Sequence, residues 1–321
     1  MLEYLYPLKL SYITKAPIWG GRRLLDGWGL HADTETVGEA WMLTVRDKEM
    51  SVIENGPCAG MTMRQYIDTY GSDTVGSAFD GGTFPLLIKL IDATDRLSVQ
   101  VHPDDDYAAR VEHDRGKTEM WYIVEADEGA EIIYGLRDGI SADQFRAAVR
   151  EGRLAETMHH CPVHAGETYF IPSGMLHAIG AGILIAEIQQ NCDLTYRVYD
   201  YDRRQPDGSL RALHIDKALD VTMPFTQTQV DAIRYEAGAA DATTLAHCRY
   251  FCTRKLEVSA DEVLRVDAAS FAFVLCIGGE GMLKVGDVSY PVRRADGYYL
   301  PAGLGEVTLS GNMTVLVASV G

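Results

Sequence analysis

Apolar and polar residues alternate in short runs over most of this chain, and Gly, Pro and Asn separate the runs. Alternation with a period of two is typical of β-strands that bury one face. The run VGEAWMLTV before residue 60, the run PLLIKLI and the segments 119–135 and 163–201 fit this pattern. After residue 244 nearly every segment does so, with glycine turns between. This density of short strands predicts a mainly β fold of the jelly-roll kind.

Helices are predicted at only three places, all before residue 222. Thr62 with Gln65 has the spacing of a capping box, which satisfies free backbone N–H groups at a helix start. A helical insertion is therefore predicted at about 62–80. Ser141 with Gln144 repeats the signature and predicts a second insertion at about 141–157, and a short third helix is predicted at 215–221.

An internal repeat divides the chain into two parts. GETYFIPSGMLHAIG aligns with ADGYYLPAGLGEVTL when Pro172 is set on Pro301, and EMWYIVEADEGAEIIYG aligns with SFAFVLCIGGEGMLKVG when Gly129 is set on Gly281. Two cupin domains, which are jelly-roll β-sandwiches, would give this pattern. An Ala/Gly/Asp/Thr-rich stretch at 236–244 lies between the copies and is the candidate linker. We therefore expect a first domain at 1–236, with the helical insertions, and a second at 237–321.

Charge and cysteine usage narrow the function classes. The formal net charge is −17, which argues against nucleic acid and anionic membranes as partners, since both require a basic patch. The first 25 residues contain no unbroken apolar region of the kind a signal peptide has, and no stretch of the chain approaches the length of a membrane-spanning segment. The six cysteines are scattered without a CxxC pair, so free thiols are expected. These features together predict a protein of the reducing cytoplasm.

Four residues of the first part of the chain are candidate metal ligands. Gln100 and His102 lie two residues apart in LSVQVHPDD and so leave the same face of a predicted strand. Glu119 begins another strand-like run, and His177 follows a Pro–Gly turn. These nitrogen and oxygen ligands suit Zn, Fe or Mn. Gln100 is the weakest ligand chemically, and hydrogen bonding to a true ligand explains it nearly as well.

Two further observations bear on where a metal would bind. The alignment places Phe271 opposite Glu119 and Glu306 opposite His177, so only the first domain is expected to hold the ion. The densest metal-like cluster, HHCPVH at 159–164, contains Pro162 and adjacent histidines that would point to opposite faces of a strand. We interpret that cluster as a loop without metal.

Three cations lie in unusual positions for charged residues. Lys89 interrupts the apolar run PLLIKLI, Lys117 precedes Glu119 by two, and Arg197 lies among aromatic and β-branched residues in LTYRVYDYDR. A buried charge needs a partner. Lys89 is either an edge lysine or a lysine of a cleft near the candidate ligands. Arg197 either forms an ion pair with Asp200 or Asp202 or is a functional cation of the candidate site.

Several motifs, in order, resemble those of type I mannose-6-phosphate isomerases in their short bacterial form. They are Trp19-Gly20-Gly21, GEAW at 38–41, LIKLIDATDRLSVQVHPDD, GKTEMWYIV, GETYFIPSGMLHAIGAG and EIQQNCDLTYRVYDYDR. The resemblance implies zinc-dependent interconversion of mannose 6-phosphate and fructose 6-phosphate, with a phosphorylated hexose as the partner molecule. It implies that Arg197 is essential, and that Lys89, Ser98 and Lys117 hold phosphate or transfer protons.

Such an isomerisation opens the sugar ring and moves a proton between C1 and C2 through an enediol or enediolate. A divalent metal would stabilise the developing negative charge, and the proton carrier must reach both carbons. Lys89, Lys117 and Glu187 are candidates for that carrier, and a lysine would need a lowered pKa. Arg197 stays protonated and is better suited to electrostatic stabilisation.

Two other function classes stay open at this point. Two histidines and a carboxylate also suit the Fe(II) of a cupin oxygenase, which would favour an apolar pocket. A non-catalytic, sugar-binding cupin is the other alternative.

Overall fold

The computed structural model describes residues 3–46, 48–79, 81–205, 207–236 and 241–321. These residues form strands, α-helices and two 3₁₀ turns, the latter at Ser72–Thr74 and Leu154–Glu156. In chain order the strands and α-helices are β1 (Leu8–Leu10), β2 (Ile13–Lys15), α1 (Arg23–Asp26), β3 (Glu39–Leu43), β4 (Val45–Arg46), β5 (Glu49–Met50), α2 (Met63–Tyr70), β6 (Leu86–Ala93), β7 (Val99–Val101), α3 (Asp105–Val111), β8 (Glu119–Ala126), β9 (Glu131–Leu136), α4 (Ala142–Arg150), β10 (Met158–Pro162), β11 (Thr168–Ile171), β12 (His177–Ile179), β13 (Ile183–Gln190), β14 (Tyr196–Tyr199), α5 (Ile215–Val221), α6 (Gln227–Arg234), β15 (Thr244–His247), β16 (Cys252–Val258), β17 (Glu262–Val266), β18 (Ala272–Val285), β19 (Val288–Arg293), β20 (Gly297–Leu300) and β21 (Gly305–Ser319).

Two large antiparallel sheets and the small sheet β4-β5 belong to the first unit, and the candidate site lies between the two large sheets. One has five strands in the order β10-β9-β12-β7-β14, and the other has six in the order β11-β8-β13-β6-β3-β2. The central strands β6 and β13 are buried along their whole length, because sheet neighbours flank them and the unit's core covers them. Such strands tolerate polar residues only where those residues find partners. Lys89 and Glu187 occupy these two strands, directly opposite each other in register.

The helices begin where the sequence predicted them. Thr62 with Gln65 and Ser141 with Gln144 both form complete capping boxes, so the N-termini of α2 and α4 are confirmed. The helix α5 is confirmed with the predicted bounds. A third capping box, at Thr226, begins α6, which the sequence analysis did not predict. None of the helices formed by the described residues combines the length and apolar composition needed to cross a membrane.

The strands of the second unit belong to a single eight-stranded sheet, which also includes β1. Its long strands β18 and β21 pair over most of their length, and β17 and β19 attach at their outer halves. An apolar cluster fills the interior of this unit, including Val274, Leu283, Leu309 and Val315, each at most 1% exposed. This unit therefore derives its stability chiefly from apolar burial.

Strand pairing and aromatic packing join the two units. β1, near the start of the chain, pairs with β20 of the second sheet. Phe271 stacks on Phe84 and on Tyr299, with ring centroids 5.3 and 4.8 Å apart. The side chain of Phe271 therefore belongs to the contact between the units and not to the second interior.

The predicted mainly β fold class is confirmed, with sheets as the principal elements. The division at 236/237 stays a prediction, and residues 237–240 of the proposed linker lie outside the described residues, as does Asp80 at the end of the first proposed insertion. The loop interpretation of HHCPVH was wrong for its first part. Residues 158–162 form β10, which pairs with β9 and has an irregular register after Met158.

Candidate metal centre and substrate cavity

Three of the predicted ligands meet between the two sheets of the first unit. His102 directly follows β7, Glu119 is the first residue of β8, and His177 is the first residue of β12. Their ligand atoms all lie within 4.8 Å of one another, and the three residues are at most 1% exposed. The Nε2 atom of His102 lies 3.7 Å from Oε2 of Glu119, and Nε2 of His177 lies 3.5 Å from Oε1. The sequence separates these residues, and the antiparallel pairing brings them together.

Backbone carbonyls orient both imidazole rings. The Nδ1 atom of His102 lies 2.7 Å from the carbonyl oxygen of Leu194, and Nδ1 of His177 lies 2.8 Å from that of Met175. An Nδ1–H that donates to a carbonyl leaves Nε2 as an unprotonated ligand atom. Burial lowers the pKa of both histidines, that of His177 to about 4. Both rings are therefore neutral, as metal coordination requires.

Glu119 completes a donor set that fits a divalent cation. Its Oε1 accepts a hydrogen bond from Nε1 of Trp121 at 3.1 Å. Its Oε2 is buried without a well-directed hydrogen bond, although Nζ of Lys117 lies 2.8 Å away. Burial raises the pKa of Glu119 to about 7, against the opposing effect of Lys117. Two neutral imidazoles beside a carboxylate with a free lone pair suit Zn²⁺ and related ions.

Gln100 lies beside this triad. Its backbone pairs with His177 on one side and with Arg197 on the other. The side-chain Nε2 lies 3.4 Å from Nε2 of His177, and Oε1 accepts a hydrogen bond from Oγ of Ser98 at 3.3 Å. The amide of Gln100 thus lies close enough to the triad either to coordinate a metal itself or to form a hydrogen bond with one of the ligands. Its role as a ligand stays a prediction.

A cavity of about 360 Å³ opens beside the triad, a volume in the range of small-molecule sites. The predicted cations Lys89, Lys117 and Arg197 all line it, together with Ser98 and Gln100. The remaining lining residues are Pro17, Trp19, Glu39, Ile91, Leu97, Ile179, Glu187, Asp193, Thr195, Arg211 and His214. The wall is largely polar and charged, unlike the apolar pocket that an oxygenase substrate would favour.

The two lysines lie deep in this cavity and each has carboxylate partners. Lys89 is 4% exposed, and its Nζ lies 3.4 Å from Glu39 and 3.3 Å from Glu187. It lies on a central strand, so the alternative of an edge lysine is wrong. Burial acts to lower the pKa of Lys89, but Glu39 and Glu187 outweigh it and raise that pKa. The pKa of Lys117 is also raised, by Glu119 and Glu187 against burial.

Glu187 faces the cavity as a buried carboxylate. Trp121 donates a hydrogen bond to its Oε1 at 3.1 Å, and Oε2 has no well-directed donor. Burial acts to raise its pKa, but Lys117 and Lys89 outweigh that effect and lower it. Glu187 is therefore ionised, and its Oε2 lies 3.3 Å from Nζ of Lys89.

Arg197 reaches the cavity from β14. Its Nε donates to Oγ of Ser98 at 3.2 Å, and its Nη1 donates to the carbonyl of Ala212 at 2.9 Å. Among the described residues no carboxylate lies within 4.0 Å of it, so the alternative of an ion pair with Asp200 or Asp202 is wrong. Burial is the main cause that lowers the pKa of Arg197.

The HHCPVH segment lies elsewhere. His159, His160 and His164 are exposed on or after the edge strand β10, and Nδ1 of His160 lies 2.7 Å from Oε1 of Glu131. Within the described part of the chain, this cluster does not join the metal-like grouping around His102.

Some residues of the site had no assigned role in the sequence analysis. Trp121 joins the carboxylates of Glu119 and Glu187 through one N–H, and Glu39 pairs with Lys89. Both lie in motifs that carry the family resemblance, which is the signal that could have identified them. Arg211 and His214 lie in a loop without periodicity, so only the tertiary structure identifies them.

The sequence of this chain matches two protein-family models and several known proteins. Residues 8–148 match the model of the type I phosphomannose isomerase catalytic domain, and residues 241–320 match that of the mannose-6-phosphate isomerase cupin domain. The mannose-6-phosphate isomerase of Streptococcus mutans is 35% identical over 312 residues, which cover 97% of this chain and 98% of that protein. ManA of Bacillus subtilis, a mannose-6-phosphate isomerase, is 36% identical over 315 residues, covering 97% and 98%.

Solved structures agree with the fold along the whole chain. The crystal structure of the mannose 6-phosphate isomerase from Bacillus subtilis superposes with a TM-score of 0.87 at 35% identity, covering 97% of this chain and 99% of that one. A putative mannosephosphate isomerase from Archaeoglobus fulgidus shares the fold at 17% identity, with a TM-score of 0.75 and coverage of 99% and 98%. On these similarities, this chain belongs to the type I phosphomannose isomerase family.

Proposed function

We propose that this protein interconverts mannose 6-phosphate and fructose 6-phosphate as a metal-dependent aldose–ketose isomerase. The observation that carries the proposal is a buried His–Glu–His triad in contact with Lys117, which lines one small cavity together with Lys89 and Arg197. The cations are suited to an anionic substrate, and the polar wall to a sugar. The activity named for the relatives of this family supports the same reaction.

His102, Glu119 and His177 would hold the metal, with Gln100 as a candidate fourth ligand. Zinc is the proposed ion because it suits this donor set and has no redox chemistry that would consume an enediol. When bound, it supplies Lewis-acid stabilisation of the negative charge that develops on the sugar oxygens. Lys117, 2.8 Å from Glu119 Oε2, adds positive charge at the same place.

Glu187 is the proposed carrier of the proton between C1 and C2. A carrier must first act as a base, which requires an unprotonated group with a free lone pair. Glu187 meets both conditions, with a lowered pKa and an Oε2 without a well-directed donor. The lysines Lys89 and Lys117 are protonated, because their carboxylate neighbours raise their pKa values. Lys89 then keeps Glu187 ionised and contributes to substrate binding.

Arg197 and Ser98 are the proposed groups that bind and orient the substrate from the opposite sheet. Arg197 remains protonated throughout, so it stabilises negative charge and does not act as a base. Ser98 accepts a hydrogen bond from Arg197 and donates one to Gln100, which joins the arginine to the metal side of the cavity.

A coupled isomerase assay on mannose 6-phosphate tests this function. The intact protein should be active, EDTA should abolish the activity, and Zn²⁺ should restore it. Arg197→Ala should lower kcat/KM by at least about a hundredfold without unfolding the protein. Full turnover without oxygen would exclude the oxygenase alternative. An intact, zinc-loaded protein without isomerase activity would contradict the proposal.

The cellular location is proposed from the thiols. All six cysteines are unpaired, and most are buried. Free thiols persist in reducing compartments, which supports the proposed cytoplasmic location.

A further inference from the structure

The outer wall of the cavity is built from β14 and from the loop that joins it to α5. Arg197 on the strand and Arg211 in the loop both line the cavity. The loop folds back on the strand, because the backbone N–H of His214 donates to the carbonyl of Arg197 at 2.8 Å. Nδ1 of His214 accepts the backbone N–H of Arg197 at 3.2 Å, and the carbonyl of Ala212 accepts Nη1. Arg197 and Arg211 are thus held on one substructure.

This substructure carries more positive than negative charge. Asp200 is 5% exposed and binds two guanidinium groups, those of Arg203 and Arg211. Arg197 adds a third guanidinium, with no carboxylate within 4.0 Å among the described residues. A further carboxylate, that of Asp95, lies 3.5 Å from Arg203 and is mostly exposed. Burial acts to raise the pKa of Asp200, but Arg211 and Arg203 outweigh it, so Asp200 stays ionised.

Both cavity arginines retain unused donors. Arg211 binds the carboxylate of Asp200 through Nε, at 2.7 Å, and through Nη2. Its Nη1 has no partner among the described residues, and the same holds for Nη2 of Arg197. Two guanidinium groups with free N–H bonds at one cavity match the several acceptor oxygens and double charge of a phosphomonoester.

The inner lysines differ from these arginines in their partners. Lys89 lies between Glu39 and Glu187, and Lys117 contacts Glu119. The positive charge of the lysines is balanced by these carboxylates. The excess of positive charge therefore lies at the outer wall, where Arg197 has no carboxylate partner among the described residues. A doubly charged group should therefore occupy the outer end of the cavity.

We propose that Arg211 is a second phosphate-binding residue, which holds the 6-phosphate of the substrate together with Arg197, and that Asp200 is a positioning residue that orients Arg211. This inference rests on the proposed function for the identity of the sugar, but the anion site can be tested alone. Arg203 also binds Asp200 but does not line the cavity, and it donates to the carbonyl of Arg96. Arg203 therefore helps to fix the carboxylate of Asp200 from the side away from the cavity.

The test compares Arg211→Ala with Arg204→Ala as the matched control. Arg204 lies in the same loop, is exposed, donates to the carbonyl of Gly208 and does not line the cavity. Arg211→Ala should raise KM for mannose 6-phosphate by about 10- to 100-fold, the size of a lost charge-assisted hydrogen bond, with a smaller change in kcat. Arg204→Ala should leave both constants unchanged.

Inorganic phosphate provides a readout that does not depend on turnover. We expect it to bind the zinc-loaded wild-type protein and the Arg204→Ala variant with equal Kd, and Arg211→Ala about tenfold or more weakly. Equal phosphate affinity in all three proteins, or no measurable binding to the wild type, would overturn the proposal. A third outcome separates the two proposals. If Arg211→Ala loses phosphate binding but the wild-type protein does not isomerise mannose 6-phosphate, the anion site is upheld and the proposed function is refuted.

A double-variant cycle tests the role of Asp200. Asp200→Asn should raise KM in the wild type by about tenfold, because Arg211 loses its fixed orientation. In the Arg211→Ala background the same substitution should leave KM unchanged or lower it. Equal increases in both backgrounds would show that Asp200 does not act through Arg211 and would overturn its positioning role.

Discussion

The two units of this chain are both built from antiparallel β-sheets, yet their interiors differ in kind. The first buries His102, Glu119, His177, Lys117 and Glu187 between its sheets. The second fills its interior with aliphatic side chains around Leu283 and Leu309. Buried charges cost free energy unless they are paired, and even paired they seldom stabilise more than apolar residues would. The first unit therefore gives up stability to hold its site, and the second unit does not.

The positions that the internal repeat sets opposite the ligands explain this difference. Glu306, opposite His177, lies on the surface and pairs with Arg265 at 2.9 Å. Phe271, opposite Glu119, packs against Phe84 at the contact between the units. The second unit thus contributes to the molecule through packing, on its inside and on its face toward the first unit.

The largest effect is expected from removing a ligand in the first interior. His177→Ala should lower isomerase activity on the order of a thousandfold, about 4 kcal/mol, because the charge stabilisation of the metal is lost. Zinc content measured by atomic absorption should fall from one ion per chain to none. His164→Ala, an exposed histidine of the HHCPVH segment, is the control and should change neither quantity. Retention of stoichiometric zinc by His177→Ala would contradict the assignment of this ligand.

A cavity in the second interior should affect stability instead of activity. Leu309 is fully buried and pairs with both β17 and β18. Leu309→Ala should lower the free energy of unfolding by about 3 kcal/mol, the cost of an apolar cavity. Urea denaturation measures this change, and zinc content at low temperature should equal that of the wild type. Loss of zinc from the folded variant would show that the two interiors are not independent.

At the junction between the units, the carboxylate of Asp105 should contribute a smaller, pH-dependent part of the free energy of unfolding. Asp105 accepts hydrogen bonds from Tyr250 at 2.7 Å, from the backbone of Gly116 at 2.9 Å and from Gln190 at 3.0 Å. Burial acts to raise its pKa, but these hydrogen bonds lower it below the usual value. The stabilisation is therefore present above the unfolded pKa of about 3.9 and is lost as pH falls through the folded value.

Asp105→Asn should consequently cost about 1 kcal/mol at pH 7, since the half-exposed carboxylate is partly screened. The difference from the wild type should shrink when the pH is lowered below about 4. Urea denaturation at pH 7 and pH 3.5 would measure both values. A difference that grows toward low pH would contradict the sign of this linkage.

The smallest effect is expected at the surface position opposite His177. Glu306 and Arg265 are 65% and 80% exposed, so their ion pair is solvated. Glu306→Ala should change the free energy of unfolding by less than about 0.5 kcal/mol and leave activity and zinc content unchanged. Thermal unfolding and the coupled assay check this. A large change in stability, activity or zinc content would contradict the interpretation that Glu306, unlike the aligned His177, has no functional role.

The sequence alone was sufficient to predict the parts of this fold that depend on local physics. Alternation of apolar and polar residues predicted the strands, and the Thr62 and Ser141 capping boxes predicted two helix starts, because both signals act over a few residues. The helix α6 has the same signature at Thr226, so it was predictable although it was not predicted. The HHCPVH segment was interpreted as loop because it contains Pro162 and adjacent histidines. Its first part instead belongs to the edge strand β10, in which neither face is consistently buried.

The candidate site was predictable only as a set of residue types. His102, Glu119 and His177 were selected by strand phase and by the family resemblance, but their separation of less than 5 Å depends on how β7, β8 and β12 pair. The partners of Lys89 and Arg197 could not be predicted, because charge neutralisation is decided by residues distant in sequence. Arg211 illustrates this best, since its loop has no periodic pattern and its position depends on the buried carboxylate of Asp200. The sequence determined which elements form and which groups can react, and the tertiary structure decided which groups meet and which charges remain unbalanced.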